Sequence, residues 1–336
     1  MTNTKSKSSP EDILVGGQAV IEGVMMRTPR AYAVAVRRLD GSIEIKKESV
    51  RRLSERCKIF SWLIIRGFAV LVQSLALGIK TLNYSINVSI QDLEAHEAAK
   101  AEADAAKNGI SEKAAIEKKK SGNNTLPIVT SMILGVGAAI LLFILLPLGL
   151  TVLLKNYFAV VENWVVFNLV DGVIRVVIFF AYLLAISRLK DIQRVFEYHG
   201  AEHKVVHTWE NGAELTVANA RRRPTEHPRC GTSFLMFVMV ISILVFSLFK
   251  FHALWAIFLS RVILIPVVSG LSYELIRLSA PRCKKGFFRL LVLPGLALQR
   301  ITAKEPSDDQ LEIAIRALLE SLELDGVKPR ESTSVA

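Results

Sequence analysis

The 336-residue chain has 3 cysteines, Cys57, Cys230 and Cys283, too few and too scattered for a disulfide framework. Each flanks positive charge, which points to reduced thiols on the cytosolic side of a membrane. Acidic residues are also short, 31 Asp+Glu against 42 Lys+Arg, so the formal net charge is +11. Charged side chains are absent altogether from Leu126–Leu154, a run of 29 residues. Because about 20 apolar residues already span a bilayer as a helix, that run excludes an ordinary soluble enzyme. With 51% hydrophobic residues, disordered and collagen-like classes are excluded as well. The N-terminal string MTNTKSKSSPEDILVGG has basic residues but neither an apolar core nor a cleavage site. We therefore expect no cleaved secretory signal, and targeting by internal hydrophobic helices. No P-loop, dinucleotide fingerprint, GxSxG elbow or CxxC pair occurs.

What is present reads as a mainly α membrane protein, with about four transmembrane helices, one or two re-entrant or interfacial helices and a small N-terminal β element. Residues 1–12 read as disordered and 13–58 as a β-containing cytosolic element, because Asp40-Gly41 sits between two alternating runs, a strong hairpin signal. Residues 59–82 are apolar but carry Arg66 and Gln73. If they crossed, the basic clusters on their two sides would face opposite sides, against the positive-inside rule, so a re-entrant or interfacial helix is expected. Residues 91–125, rich in Ala, Glu and Lys, read as a charged helical linker. The membrane domain, 126–300, has spans at Leu126–Leu154, Trp164–Ser187, Ser233–Phe249 and Ala253–Tyr273. The basic loop 188–232 lies between the second and third, which puts both termini and that loop in the cytosol of an inner-membrane, multi-pass protein. The basic excess then serves topology and anionic headgroups, with membrane lipids rather than nucleic acid as partners. Phe287–Gln299 is too short to cross. Residues 301–324 form a C-terminal amphipathic helix, whose stripe Leu311, Ile315, Leu318, Leu319 and Leu322 requires a docking surface, possible in a protein partner or an oligomer. Residues 325–336 are a disordered tail.

Four of the six histidines fall within the loop 188–232. Asp191–Glu210 reads as an amphipathic helix ended by Asn211-Gly212. On it His199, Glu202, His203 and His207 share an arc of about 140°, with His pairs one turn apart. His199-Gly200-Ala201-Glu202-His203 also matches H-x-x-E-H, in which two histidines bind zinc and the glutamate is general base. Ordinary interfacial histidines are the bland alternative. His227-Pro228-Arg229-Cys230 follows on a constrained turn, so the preferred ligand set for a divalent metal, zinc first, is His199, His203 and one of His227 or Cys230. Glu274, at the end of the fourth span, is a further ligand candidate or an ion-pair partner of Arg277. In Gly16–Arg27, glycines bracket Gln18 and Glu22 in an apolar run before Arg27. Glu22 in apolar surroundings would have a raised pKa suited to acid/base work, unless the string is only a tight turn into a buried strand.

The strings GGQAVIEGVMMR, FEYHGAEHK, HPRCGTSFL, SYELIRL and LPGLALQRITAKEP, in this order, resemble the YqhQ-like family of bacterial membrane proteins. The resemblance covers most of residues 13–322. It implies a metal-dependent enzyme of unspecified substrate and weight on Gln18, Glu22, Arg27, His199, Glu202, His203, His227, Cys230 and Glu274. The expected activity is a zinc hydrolase at the cytosolic membrane interface, with Glu202 as base, Gln18, Glu22 and Arg27 holding a lipid or lipid-linked substrate. The alternative is a non-catalytic scaffold or assembly factor, and then a transporter. A closed four-ligand metal site would mark the scaffold, an open three-ligand site the enzyme.

Overall fold

The computed structural model describes residues 13–50, 62–108, 125–251, 253–283 and 286–329. The expectations for 1–12, for the basic cluster 51–58, for the linker beyond 108 and for the tail beyond 329 fall outside the described residues.

Four antiparallel strands, β1 (Gly16–Val20), β2 (Gly23–Arg27), β3 (Ala31–Arg37) and β4 (Ile43–Ser49), form one sheet in chain order. The Asp40-Gly41 signal does form the β3–β4 turn, with Gly41 at φ +84. Both faces of the sheet are covered, which is why β2 and β3 read as nearly continuous apolar runs. Val24, Met26 and Ala35 face one core; Val20, Met25, Tyr32, Val34 and Val36 face another.

The second core is closed by α1 (Leu63–Asn108), through Leu77, Tyr84 and Val88. Here the structure corrects the expected boundary. The sequence separates 59–82 from 91–125, whereas 63–82 and 91–108 lie in one continuous helix. No Pro or helix-ending Gly interrupts it. Its start packs on a later helix, Gly67 against Gly270 and Tyr273, and Arg66 pairs with Glu274. Its later part is tied to the sheet by Lys80–Glu48, Tyr84–Glu44 and Arg38–Asp92.

The apolar helices follow. α2 (Thr125–Ile140) runs through a π-turn, Leu141–Leu145, into α3 (Leu146–Lys155), and α4 (Trp164–Ile186) returns beside them. After α5 (Lys190–Glu210) and α6 (Val217–Arg221) come α7 (Gly231–Ser247), α8 (Leu254–Ile263), α9 (Ile265–Ser279), α10 (Gly286–Thr302) and α11 (Asp308–Asp325). Among the described residues three helices are long and apolar enough to cross a membrane, Ile64–Lys100, Ile133–Lys155 and Trp164–Ile186, and a fourth if α8 and α9 count as one span. The expected span Ala253–Tyr273 is thus broken: α8 and α9 meet at a 45° bend, next to Pro266, whose ring cannot continue a helix ladder. α7 is 17 residues of apolar helix, shorter than each of these three candidate spans. Asp171 of α4 sits between Arg175 of the same helix (2.8 Å) and Arg261 of α8 (3.2 Å).

α11 is fixed at both ends, by a Ser307–Gln310 capping box and by Gly326 at φ +74. The docking surface that its stripe requires is supplied by the chain's own sheet. Leu311, Ile315, Leu318 and Leu322 are buried with Val24, Met26 and Ala35 and with Tyr198, Ala201 and Val205 of α5. Full burial of each such leucine contributes about 1.5–3 kcal/mol before chain entropy. α5 and α11 therefore lie side by side on one face of the sheet, and α1 lies on the other.

Candidate metal centre

α5 starts after extended Leu189, carries Asp191 in its first turn and ends at Asn211, with Gly212 at φ +66, as its sequence predicts. The docked face of α5 presents His199 and His203 inward. Their rings stand 4.3 Å apart. Gly200 lets this helix close on the segment after α10, for a Cβ there would lie 1.8 Å from the Lys304 carbonyl oxygen. That closeness brings the Thr302 carbonyl to His199, whose Nδ1 lies 2.6 Å from it and donates to it. His203 Nδ1 likewise donates to the Thr225 carbonyl. With both Nδ1 atoms protonated, both Nε2 atoms keep their lone pairs and point to the same place. Backbone-anchored imidazoles of this kind are the usual outer support of a metal site.

Cys230 completes the group. It caps the N-terminus of α7, its Sγ taking the Thr232 N–H, and lies 3.1 Å from His199 Nε2. His199, His203 and Cys230 place one ligand atom each within 4.8 Å of the others. His203 is 2% exposed, and its Nε2 has no hydrogen-bond partner among the described residues. A buried polar atom with no partner costs about 1–3 kcal/mol, and a cation between these three side chains would remove that cost. Burial pushes His203 down, toward the neutral ligating form. Burial pushes the Cys230 thiol up, but the adjacent His203 and the Thr232 hydroxyl and N–H outweigh it, so the thiol lies below its ordinary value. The donor set, two imidazole nitrogens and a thiolate, suits zinc.

Glu202 lies beside this group on α5 and is buried. Burial pushes its carboxyl up to about 7, His199 draws it down, Cys230 pushes it up, and the Gly17 N–H of β1 draws it down. Gly17 is glycine for that approach: a Cβ would stand 2.9 Å from Glu202 Cγ and 2.8 Å from Met26 Sδ.

The remaining sequence candidates are placed elsewhere. His227 is not in the triad. Its Nε2 lies 3.2 Å from Glu210, which also pairs with Arg229. Its ring sits 5.7 Å from His203 and 4.6 Å from His207. Glu274 is not a ligand of either group: its carboxylate is taken by Arg66 at 2.6 Å, with Arg277 at 3.9 Å. Glu22 is not in apolar surroundings. It stands in the β1–β2 turn at φ +51, its two carboxylate oxygens taking Arg194 Nε and Nη2, and is touched by the Tyr198 hydroxyl. Gln18 lies on the α1 face of the sheet against Gly78. With Arg27 it lines a cavity of about 430 Å³, walled by Leu14, Met25, Val70 and Leu77, that also includes Gly17. Gly17 borders this cavity and Glu202, but neither Glu202 nor any member of the triad lines it.

Two residues escaped the sequence reading. Gln299, fully buried, holds His227 by its N–H and C=O and also donates to Ser233. Glu210 joins His207 and His227 in a second group of ligand atoms within 4.8 Å of one another. A polar residue at an apolar position of α10 was the available signal for Gln299.

The model of a family described as protein of unknown function, DUF1385, matches residues 62–324. The chain is 33% identical over 314 residues to the uncharacterized protein YqhQ of Bacillus subtilis (strain 168), covering 93% of each. No solved structure matches. The chain belongs to the DUF1385 family.

Proposed function

We propose that the protein is a membrane-embedded, metal-dependent hydrolase, with zinc held by His199, His203 and Cys230 at the cytosolic interface. The observation that carries this is the buried, unpartnered Nε2 of His203, aimed with His199 Nε2 at a thiol. Three ligands, and no fourth within the group among the described residues, favour an open catalytic site over a closed structural one. A bound cation would supply Lewis-acid polarisation of the scissile group.

The chain's own residues do the rest. Thr302 and Thr225 carbonyls fix the tautomers of the two histidines. Glu202, buried beside them, takes a proton from the attacking water, and its raised pKa suits exchange near neutrality. The Gly17 N–H steers its carboxylate. Gln18 and Arg27 line an apolar-walled cavity on the α1 face of the sheet, opposite the metal group, which would take the remote apolar part of an amphiphilic substrate such as a lipid or lipid-linked compound. Glu22 and Arg194 brace the hairpin that carries Gly17 and Gln18.

The test is Glu202→Gln in the purified full chain, with metal content and hydrolysis of phospholipid and lipid-linked ester panels measured together. Retained metal with metal-dependent hydrolysis reduced at least a hundredfold supports the base assignment. Hydrolysis unchanged by this substitution overturns it.

A further inference from the structure

We propose that His207, Glu210 and His227 form a divalent-cation site of their own, next to the His199, His203 and Cys230 group and different from it in character. The proposal goes beyond the hydrolase reading and does not require it.

The geometry is built rather than incidental. His207 Nε2 donates to the Glu226 carbonyl at 2.8 Å, which leaves its Nδ1 with a lone pair. Glu210 Oε2 lies 3.2 Å from His227 Nε2, while Arg229 occupies Oε1. One ligand atom from each of the three residues falls within 4.8 Å of the others. His227 is held in place from behind, its backbone gripped on both sides by Gln299. With Nδ1 accepting the Arg229 N–H at 3.3 Å, Nε2 donates to Glu210 Oε2 at 3.2 Å; ligation through Nε2 moves the ring proton to Nδ1 and exchanges both bonds for metal bonds from Nε2 and Oε2.

The chemistry differs from the first group in two ways. Two nitrogens and a carboxylate oxygen make a harder donor set than two nitrogens and a thiolate, and accept zinc, iron(II) or manganese(II). The Glu210 side chain is 23% exposed, and a guanidinium stands on it. Cation–cation repulsion and open access both make this site the weaker and faster-exchanging one. The row of rings His199, His203, His227 and His207, at 4.3, 5.7 and 4.6 Å, puts the two sites next to each other.

The experiment is zinc and cobalt(II) loading of the detergent-purified full chain. Zinc per chain is counted for wild type, Glu210→Gln, His207→Gln and Cys230→Ser, and thermal unfolding certifies each fold. We expect about two zinc per wild-type chain and one in each variant. A brief chelator wash should remove the wild type's second zinc first. Cobalt bound to wild type and to Glu210→Gln should show a thiolate charge-transfer band that Cys230→Ser lacks. One zinc in wild type that survives Glu210→Gln and His207→Gln, with both variants folded, overturns the proposal. One zinc kept by Cys230→Ser but lost by Glu210→Gln sinks the hydrolase reading and sustains this one.

Discussion

Gln299 holds the backbone of His227 from both sides: its Oε1 accepts the His227 N–H at 2.7 Å, and its Nε2 donates to the His227 carbonyl at 2.9 Å. The same amide reaches Ser233 at 2.8 Å, just past Cys230. One side chain on α10 thereby fixes the turn that carries both His227 and Cys230 of the candidate triad. Gln299→Leu leaves these buried groups unpaired, at a cost of about 1–3 kcal/mol. Thermal unfolding should show that loss, together with lower metal retention. Unchanged unfolding and metal content would mean that the turn is held by other contacts.

Gly200 sets the distance between α5 and the segment after α10, with Lys304 N–H bonded to the Phe196 carbonyl at 2.9 Å. In Gly200→Ala the new methyl collides with the Lys304 carbonyl oxygen, at an overpacking cost of about 1–3 kcal/mol. It also moves Thr302 from His199. We predict weaker metal binding in Gly200→Ala than in Gly16→Ala, whose Cβ meets nothing within 4 Å. Metal affinity by competition with a chromophoric chelator checks this, and equal affinities would contradict it.

Glu22 and Arg194 make an exposed forked pair, with side chains 31% and 52% exposed. Exposed pairs contribute about 0.2–1 kcal/mol, so Arg194→Gln should lower stability slightly and leave metal content unchanged. Loss of metal in Arg194→Gln would place this pair nearer the chemistry than its geometry indicates.

How much of this was legible in the chain follows from how local each signal is. The His199–Glu202–His203 spacing encodes one helix face, and Asp40-Gly41 encodes a turn, so both could be read directly. The strands β1 and β2 show no clean alternation, because Val20 and Met25 meet α1 while Val24 and Met26 meet α5 and α11. Pairings remote in sequence were not legible. Arg277, three residues on, is the obvious partner for Glu274, yet Arg66, 208 residues away, is the closer one. The stripe of α11 announced a docking face, but not that the N-terminal sheet supplies it.

The packing of α1 on the sheet bears on topology. From Leu77 onward that helix is covered by strands that carry α11 on their other face, which leaves about 14 residues, or about 21 Å of helix, before the sheet. A bilayer core is about 30 Å thick. Cysteines placed at Lys80 and Glu312, in a background lacking the native three, should therefore be labelled from the same side of the membrane. Labelling from opposite sides would break the sheet packing described here.

The most direct test of the account is the zinc that survives mild chelation, measured by elemental analysis in wild type, His199→Ala, His203→Ala and Cys230→Ser, each purified as the full chain and checked for fold. The account predicts about one tightly held zinc per wild-type chain and its loss in all three variants. No tightly held metal in wild type after reconstitution, or its retention in all three folded variants, would contradict the metal centre at its root.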